Sequence, residues 1–193
     1  FDLMIVNDAS TIKQPKLIKP SNINSIQIFN MKENRGHARC NAFGIRYVEK
    51  NKEFNNLILM DGDGEDRPVE IKNLINESIN KSNISIVAKR IKRSEGPIFQ
   101  LLYQIHKIIT YVFTGKYINF GNYSCLTKKD VEKLNSEASL WSSYSGTLKK
   151  IIPEFGEIDS IRGKRYFGPS KMSLLKLFMP SCAIIAVFKY QVF

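Results

Sequence analysis

A short apolar run that ends in a cluster of acids places the strongest constraint on the fold. In NNLILM (residues 55–60) four apolar residues stand side by side, without the alternation of polar and apolar residues that marks a half-solvated strand. Such a run predicts a strand buried on both faces, as in a parallel sheet covered by helices. The loop DGDGED (61–66) follows, and Pro68 then opens a predicted helix, PVEIKNLINESIN, since proline suits a first helical turn.

The same alternation of strands and helices continues along the chain. Further strands are predicted in FDLMIV (1–6), SIQIFNM (25–31), NISIVAKR (83–90) and YINFGNYSCL (117–126), and helices at 34–51, 96–115 and 127–134. This order predicts an α/β domain, Rossmann-like, with a mostly parallel sheet flanked by helices. Ligands of such sheets bind beyond the carboxyl ends of the strands, so we expect Asp8, Asp61, Asp63 and Arg90 to converge there.

The charge balance of the chain favours an anionic partner. There are 29 Lys and Arg against 18 Asp and Glu, which gives a formal net charge of +11. Nucleic acid, a phosphorylated ligand and a membrane surface are the three candidate partners, and a basic composition without functional meaning is the alternative. Cys40, Cys125 and Cys182 match no zinc or disulfide spacing, which favours a reducing cytosolic setting.

The acidic loop suggests a cation site. Carboxylates as close in sequence as Asp61 and Asp63 repel one another unless a positive charge lies between them. Mg²⁺ or Mn²⁺ takes carboxylate oxygens and shares its other positions with water and substrate phosphates. Gly62 and Gly64 would let the backbone turn tightly beside a ligand. The alternative is a solvated acidic turn at the start of the helix that Pro68 begins.

Six segments, in order, carry a resemblance to a known family. They are VNDAST (6–11), NRGHARCNAFGI (34–45), LILMDGDGEDRPVEI (57–71), VAKRIKR (87–93), GNYSCLTKKDVEKL (121–134) and KRYFGPSKM (164–172). The chain resembles the inverting family-two glycosyltransferases of GT-A fold, and within them the polyprenyl-phosphate sugar transferases of the dolichol-phosphate mannose synthase type. That family opens with one further strand, so the first strand of the fold is expected to be missing here.

The resemblance implies a site for a nucleotide sugar. Asp8 would contact the base or ribose, and Asp61 would lie near the ribose or the metal. Asp63 would hold Mg²⁺ or Mn²⁺ on the diphosphate. Glu65 stands where relatives commonly have glutamine, and it could reach the same metal. Relatives commonly have an acid where this chain has Asn122, so a possible acidic group near the acceptor is lost.

The resemblance also implies a basic site for the phosphate of a polyprenyl acceptor. Its expected residues are Arg90, Arg93, Arg165, Ser170 and Lys171. A guanidinium fork matches phosphate oxygens in bidentate fashion, and an ionised phosphate can attack the anomeric carbon without a strong general base. The expected catalytic residues are therefore Asp63, Arg90 and Arg165.

The expected function is transfer of a UDP- or GDP-linked sugar to a polyprenyl phosphate, with inversion and metal assistance, at the cytoplasmic face of a membrane. Transfer to a sugar hydroxyl is an alternative, with Glu137 or Glu154 as the base that a neutral acceptor needs. A nucleic-acid-binding module is a further alternative, although acids stand where phosphates would arrive and no nucleic acid is expected as a partner. The last alternative is that the chain is an inactive fragment or a membrane-bound partner of another protein.

The chain is expected to divide at residue 161. Residues 1–161 would form the catalytic domain, and residues 162–193 a basic and then apolar segment. That order is typical of helices on an anionic membrane surface, as a peripheral attachment or beside anchors outside this chain. A buried C-terminal helix with a solvated basic flank is the alternative.

Overall fold

The computed structural model describes residues 1–12, 17–92, 97–166 and 174–188. The strands in these ranges are β1 (Asp2–Asn7), β2 (Ser25–Asn30), β3 (Asn56–Leu59), β4 (Ile86–Lys92), β5 (Phe120–Thr127) and β6 (Gly156–Ile161). The α-helices are α1 (His37–Asn51), α2 (Ile71–Asn80), α3 (Pro97–Thr114), α4 (Lys128–Ser136), α5 (Tyr144–Ile151) and α6 (Leu174–Val187). Single 3₁₀ turns span Pro68–Glu70 and Ala138–Trp141.

The α/β class is confirmed, but the sheets are mixed rather than mostly parallel. Strands β1 and β2 form a parallel pair, and the larger sheet has the order β3-β5-β4-β6. In it, β5 is antiparallel to both of its neighbours, while β4 and β6 are parallel. The expectation failed because an apolar run predicts that a strand is buried and not which way it points. A central antiparallel strand covered on both faces has the same composition.

Strand directions in the larger sheet decide what meets at its edge. Since β3 and β4 both run opposite to β5, they point the same way, and β6 points with β4. The carboxyl ends of β3, β4 and β6 therefore lie at the same edge as the start of β5. This brings together the acidic loop, Arg90, the segment after β6, and Gly121 and Asn122.

The larger sheet is covered on both faces, as the apolar strands predicted. Val87 and Leu126 belong to a core cluster shared with α1, α4, α5 and α6. Their neighbours Ile86 and Cys125 belong to a second cluster beneath Leu74 of α2. Buried side chains at alternate strand positions pack against helices on both faces of the sheet. The loops at the end of the sheet therefore start from well-packed strands.

The C-terminal helix packs on the rest of the fold. Ile184, Val187 and Phe188 are buried in the larger core cluster, and α6 contacts both α3 and α5. The assignment of residues 162–193 to a membrane surface stays a prediction. Within the described ranges, every helix is too short or too polar to cross a membrane.

Candidate functional site

The acidic loop is closed by its own carboxylates. The Asp61 N–H donates to Asp66 Oδ2 at 2.9 Å, and the Glu65 N–H donates to Asp63 Oδ1 at 3.0 Å. Gly64 has φ 91°, a left-handed conformation that side chains with a Cβ rarely adopt. The loop thus has a defined shape before any ligand arrives.

The segment after β6 docks on this loop through its backbone. The Gly163 N–H donates to the Glu65 carbonyl at 2.8 Å, and the Tyr166 N–H donates to the Asp63 carbonyl at 2.9 Å. A Cβ on Gly64 would lie 2.7 Å from ring atoms of Tyr166, and a Cβ on Gly163 would lie well under 3.0 Å from the Gly64 carbonyl oxygen. Two glycines are therefore required for this close approach.

Two arginines of the same segment form ion pairs with two of the acids in the loop. Arg165 Nη2 lies 2.9 Å from Asp63 Oδ2 and 3.6 Å from Glu65 Oε2. Arg162 forms a second ion pair with Glu65. We refer to Asp63, Glu65, Arg162 and Arg165 as the acid–arginine cluster. Its Arg165–Asp63 pair is about one-third exposed, so a ligand can reach it from solvent.

A buried acid lies beneath the acid–arginine cluster. Asp66 is 4% exposed, and its Oδ1 lies 3.6 Å from Arg90 Nη2. Burial raises the pKa of Asp66 to about 6, and the nearby charges of Asp61 and Asp63 add to this. The hydrogen bond from the Asp61 N–H and the charge of Arg90 oppose the rise. Arg90 thus reaches the acidic loop, as expected from the strand directions.

Strand β5 supplies the floor of the site. The Asn122 side-chain N–H donates to Asp61 Oδ1 at 3.1 Å. An aspartate at this position would place a second carboxylate against Asp61, whereas the amide stabilises its charge. At Gly121 a Cβ would lie 3.0 Å from Arg90 Nη2, so the glycine leaves room for the guanidinium.

A second buried acid ties β6 to the helix that follows the loop. Glu70 forms an ion pair with Arg67, and it accepts hydrogen bonds from the Ser160 hydroxyl at 2.6 Å and from the Ile161 N–H at 3.3 Å. The Tyr123 hydroxyl donates to the Arg67 carbonyl at 2.7 Å. These contacts fix the end of β6 next to the loop. Glu70 stands in the segment 57–71 that carries the family resemblance, but the sequence analysis assigned it no role.

Asp8 lies at the start of α1. Its two carboxylate oxygens accept the N–H groups of Arg35 at 2.7 Å and of Gly36 at 2.8 Å, and Asn34 donates to its carbonyl at 3.0 Å. Burial, followed by the Asp8 hydrogen bond and charge, raises the pKa of the Cys40 thiol to about 11. These contacts do not join Asp8 to the acidic loop, so its convergence with Asp61 and Asp63 stays a prediction.

Three residues expected to bind the acceptor phosphate lie outside the described residues. They are Arg93, Ser170 and Lys171. Arg162, by contrast, was seen in the sequence only as part of a basic stretch. Arg165 was predicted because it stands in the family-like segment KRYFGPSKM (164–172). Arg162 lies outside that segment, and its role follows only from the pairing of β6 with β4.

The carboxylate oxygens of the loop are of the kind that bind a hard divalent cation. Carboxylate oxygens are the ligands that Mg²⁺ and Mn²⁺ prefer. In the part of the chain that the structure describes, no three His, Cys, Asp or Glu side chains are grouped to hold a metal. Asp61 has an oxygen turned to Asn122, and Asp63 shares its carboxylate with Arg165. Asp61 and Asp63 could together bind a cation once Arg165 leaves Asp63 for another anion. Glu65 is less suited to that role because its carboxylate already contacts both Arg162 and Arg165.

Comparison with known proteins leaves the site to be interpreted from its own chemistry. No protein-family model matches the chain, and a search among curated proteins finds no significant match.

Proposed function

We propose that this chain is an inverting glycosyltransferase of GT-A fold that moves a sugar from a nucleotide-sugar donor to a polyprenyl phosphate at the cytoplasmic face of a membrane. One observation carries the proposal. Charges of both signs meet at one edge of the larger sheet, where the acids that follow β3 contact Arg90 of β4 and the arginines that follow β6. A donor diphosphate and an acceptor phosphate need this combination.

Arg165 is the residue we assign to exchange partners when phosphate arrives. It is held 2.9 Å from Asp63 without a ligand, and both side chains are partly exposed. An ion pair in that setting contributes little, so a phosphate with more oxygens competes well for the guanidinium. Arg162 stays with Glu65 and holds the segment in place while Arg165 turns.

Asp61 and Asp63 are the residues that would hold Mg²⁺ or Mn²⁺. The cation would neutralise the charge that builds up on the leaving nucleoside diphosphate. Asn122 positions the Asp61 carboxylate through the hydrogen bond that its side-chain N–H donates to Asp61 Oδ1. Glu65, the third expected ligand, is assigned instead to Arg162 and Arg165 because both guanidinium groups already contact it.

The acceptor is proposed to be a phosphate because the two glutamates expected to serve as a base for a hydroxyl belong to the other end of the larger sheet. Glu137 follows α4, which begins where β5 ends, and it pairs with Lys150 at 3.6 Å. Glu154 precedes the start of β6, whereas the acidic loop follows the carboxyl end of β3. An ionised phosphate needs only orientation, which Arg90 and Arg165 can give, and its attack from the face opposite the leaving group inverts the anomeric centre. A neutral hydroxyl would need a proton acceptor.

A transfer assay tests the proposal. The chain would be incubated with undecaprenyl phosphate in vesicles, Mg²⁺ or Mn²⁺ and a panel of UDP- and GDP-sugars, and the lipid product identified by mass spectrometry. Asp63→Asn and Arg165→Gln are expected to abolish the sugar-phosphate-lipid product, whereas Asp159→Asn, an exposed acid on β6, should retain it.

The other outcomes of that assay are equally informative. Donor consumed only when a glycan hydroxyl is supplied would replace the phosphate acceptor by a hydroxyl. A folded chain that turns over none of the pairs would refute sugar transfer by this chain.

A further inference from the structure

Helix α3 has an exposed apolar face. Its described side chains Ile105, Ile108, Tyr111, Val112 and Phe113 are exposed, as is Tyr117 just beyond its end. Ile108 is 63% exposed and Val112 is 70% exposed. We call these six residues the α3 face. Exposed apolar side chains grouped on one helix, rather than scattered, mark an interaction surface.

The buried side of α3 is unusual for a helix that faces water. Thr110 and Thr114 are buried, one turn apart, and the Thr114 hydroxyl donates to the Thr110 carbonyl at 2.6 Å. A surface helix in water normally turns its large apolar residues inward and its small polar residues outward. Among the described side chains of α3, the two buried ones are threonines and the large apolar ones are mostly exposed, so its exposed side suits an apolar surrounding.

The charge around the α3 face selects a lipid surface among apolar partners. Residues 97–119 contain no Asp or Glu, and neither do residues 162–193, which include α6 packed against α3. Lys107 Nζ donates to the Tyr117 hydroxyl at 3.0 Å and lies over its ring, and Lys116 is exposed beside them. Apolar side chains with lysines and tyrosines at their border match the boundary between acyl chains and anionic headgroups.

We infer that the α3 face docks on an anionic bilayer, with Ile108 and Val112 at the acyl boundary and Lys107 and Lys116 at the headgroups. This deepens the proposed function and rests on it only for the lipid acceptor, because it assigns the membrane partner to one surface. The helix lies between β4, which ends at Lys92, and β5, which begins at Phe120. In chain order α3 follows the carboxyl end of β4 and precedes the start of β5, and both of these lie at the sheet edge that carries the acid–arginine cluster. We expect docking of α3 to bring that edge towards the bilayer.

Vesicle flotation tests the docking surface. The full chain would be floated with vesicles of phosphatidylcholine alone and with vesicles containing about one quarter phosphatidylglycerol. Ile108→Ser with Val112→Ser should lower partitioning onto the anionic vesicles at least tenfold, since roughly this factor is lost for each apolar side chain removed from the lipid. The matched control, Ile18→Ser with Ile79→Ser, changes two exposed apolar residues outside the α3 face, which are 85% and 59% exposed. It should partition like the unsubstituted chain.

Each remaining outcome overturns the docking surface or separates it from sugar transfer. Equal partitioning of both double variants would refute it, as would equal binding to neutral and anionic vesicles. A chain that dimerises in solution through Ile108 and Val112, and floats unchanged when they are replaced, would assign the face to a second copy. Donor binding measured without vesicles reports on the proposed function alone, and it should be the same in both double variants.

Discussion

Replacing Asp66 by asparagine is expected to remove a pH dependence from the stability of the fold. The Asp66 carboxyl group is buried under the acidic loop, where Oδ2 accepts the Asp61 N–H and Oδ1 faces Arg90 at 3.6 Å. Burial raises its pKa to about 6, and the charges of Asp61 and Asp63 contribute to the rise. Asparagine keeps an oxygen for the Asp61 N–H but carries no charge to desolvate.

The sign and size of the effect follow from proton linkage. The unfolded chain titrates an aspartate near pH 3.9, so between about pH 4 and pH 6 the folded chain binds the Asp66 proton more tightly. The stability that this proton contributes is fully present below about pH 4 and is lost as the pH rises through about 6. At 1.36 kcal/mol for each tenfold change in acidity, the loss is about 3 kcal/mol.

Urea unfolding at several pH values measures this loss. Because the asparagine side chain does not titrate and other groups cancel, the free energy of unfolding of Asp66→Asn minus that of the unsubstituted chain should rise by about 3 kcal/mol between about pH 4 and pH 7. The buffers would contain EDTA, so that bound metal does not contribute. Asp159→Asn, at an exposed position, should show a flat difference. A difference for Asp66→Asn that stays flat within about 0.5 kcal/mol would refute the reasoning.

Three further substitutions probe the loop, a helix cap and the cation site. Gly163→Ala should lower the free energy of unfolding by about 1–3 kcal/mol and abolish transfer because its Cβ would press on the Gly64 carbonyl. Gly62→Ala, whose Cβ meets nothing within 4 Å, should leave the free energy of unfolding unchanged in the same thermal unfolding assay. Thr127→Ala should cost about 1 kcal/mol in urea unfolding because the side chain that caps α4 is removed, and Thr127→Ser should restore it. Asp63→Asn should weaken calorimetric Mn²⁺ binding in the presence of a nucleoside diphosphate at least about tenfold, and unchanged binding would exclude Asp63 from the cation site.

Much of the fold was predictable because its elements have strong local signals. Apolar runs marked β3, β4 and β5, and the structure places a strand in each. A helix was expected at 127–134, and α4 begins at Lys128, with the Thr127 side chain accepting the Asp130 N–H at 3.3 Å. Pro68 was expected to open a helix, and a 3₁₀ turn begins there and leads into α2.

Strand direction and β6 were not predictable by the same reasoning. Strand β6, GEIDSI, has only two apolar side chains of moderate size, and its burial comes from pairing with β4 rather than from its own composition. Gly156 is required there because a Cβ would lie 2.5 Å from Ile86 Cδ1. The need for glycine at this position comes from Ile86, which is 70 residues away in the sequence. The local periodicity of the sequence does not report such a contact.

The unpredicted strand is also what completes the candidate site. The sequence alone does not pair β6 with β4, so it does not fix the position of the basic stretch that begins at Arg162. From the sequence, that stretch was therefore interpreted as part of a membrane-surface segment. With β6 in place, the Glu70 hydrogen bonds to Ser160 and Ile161 set the point where the strand ends. From that point Arg162 and Arg165 fall on the acidic loop. The motif residues supplied the acids, but a long-range strand pairing supplied their counter-charges.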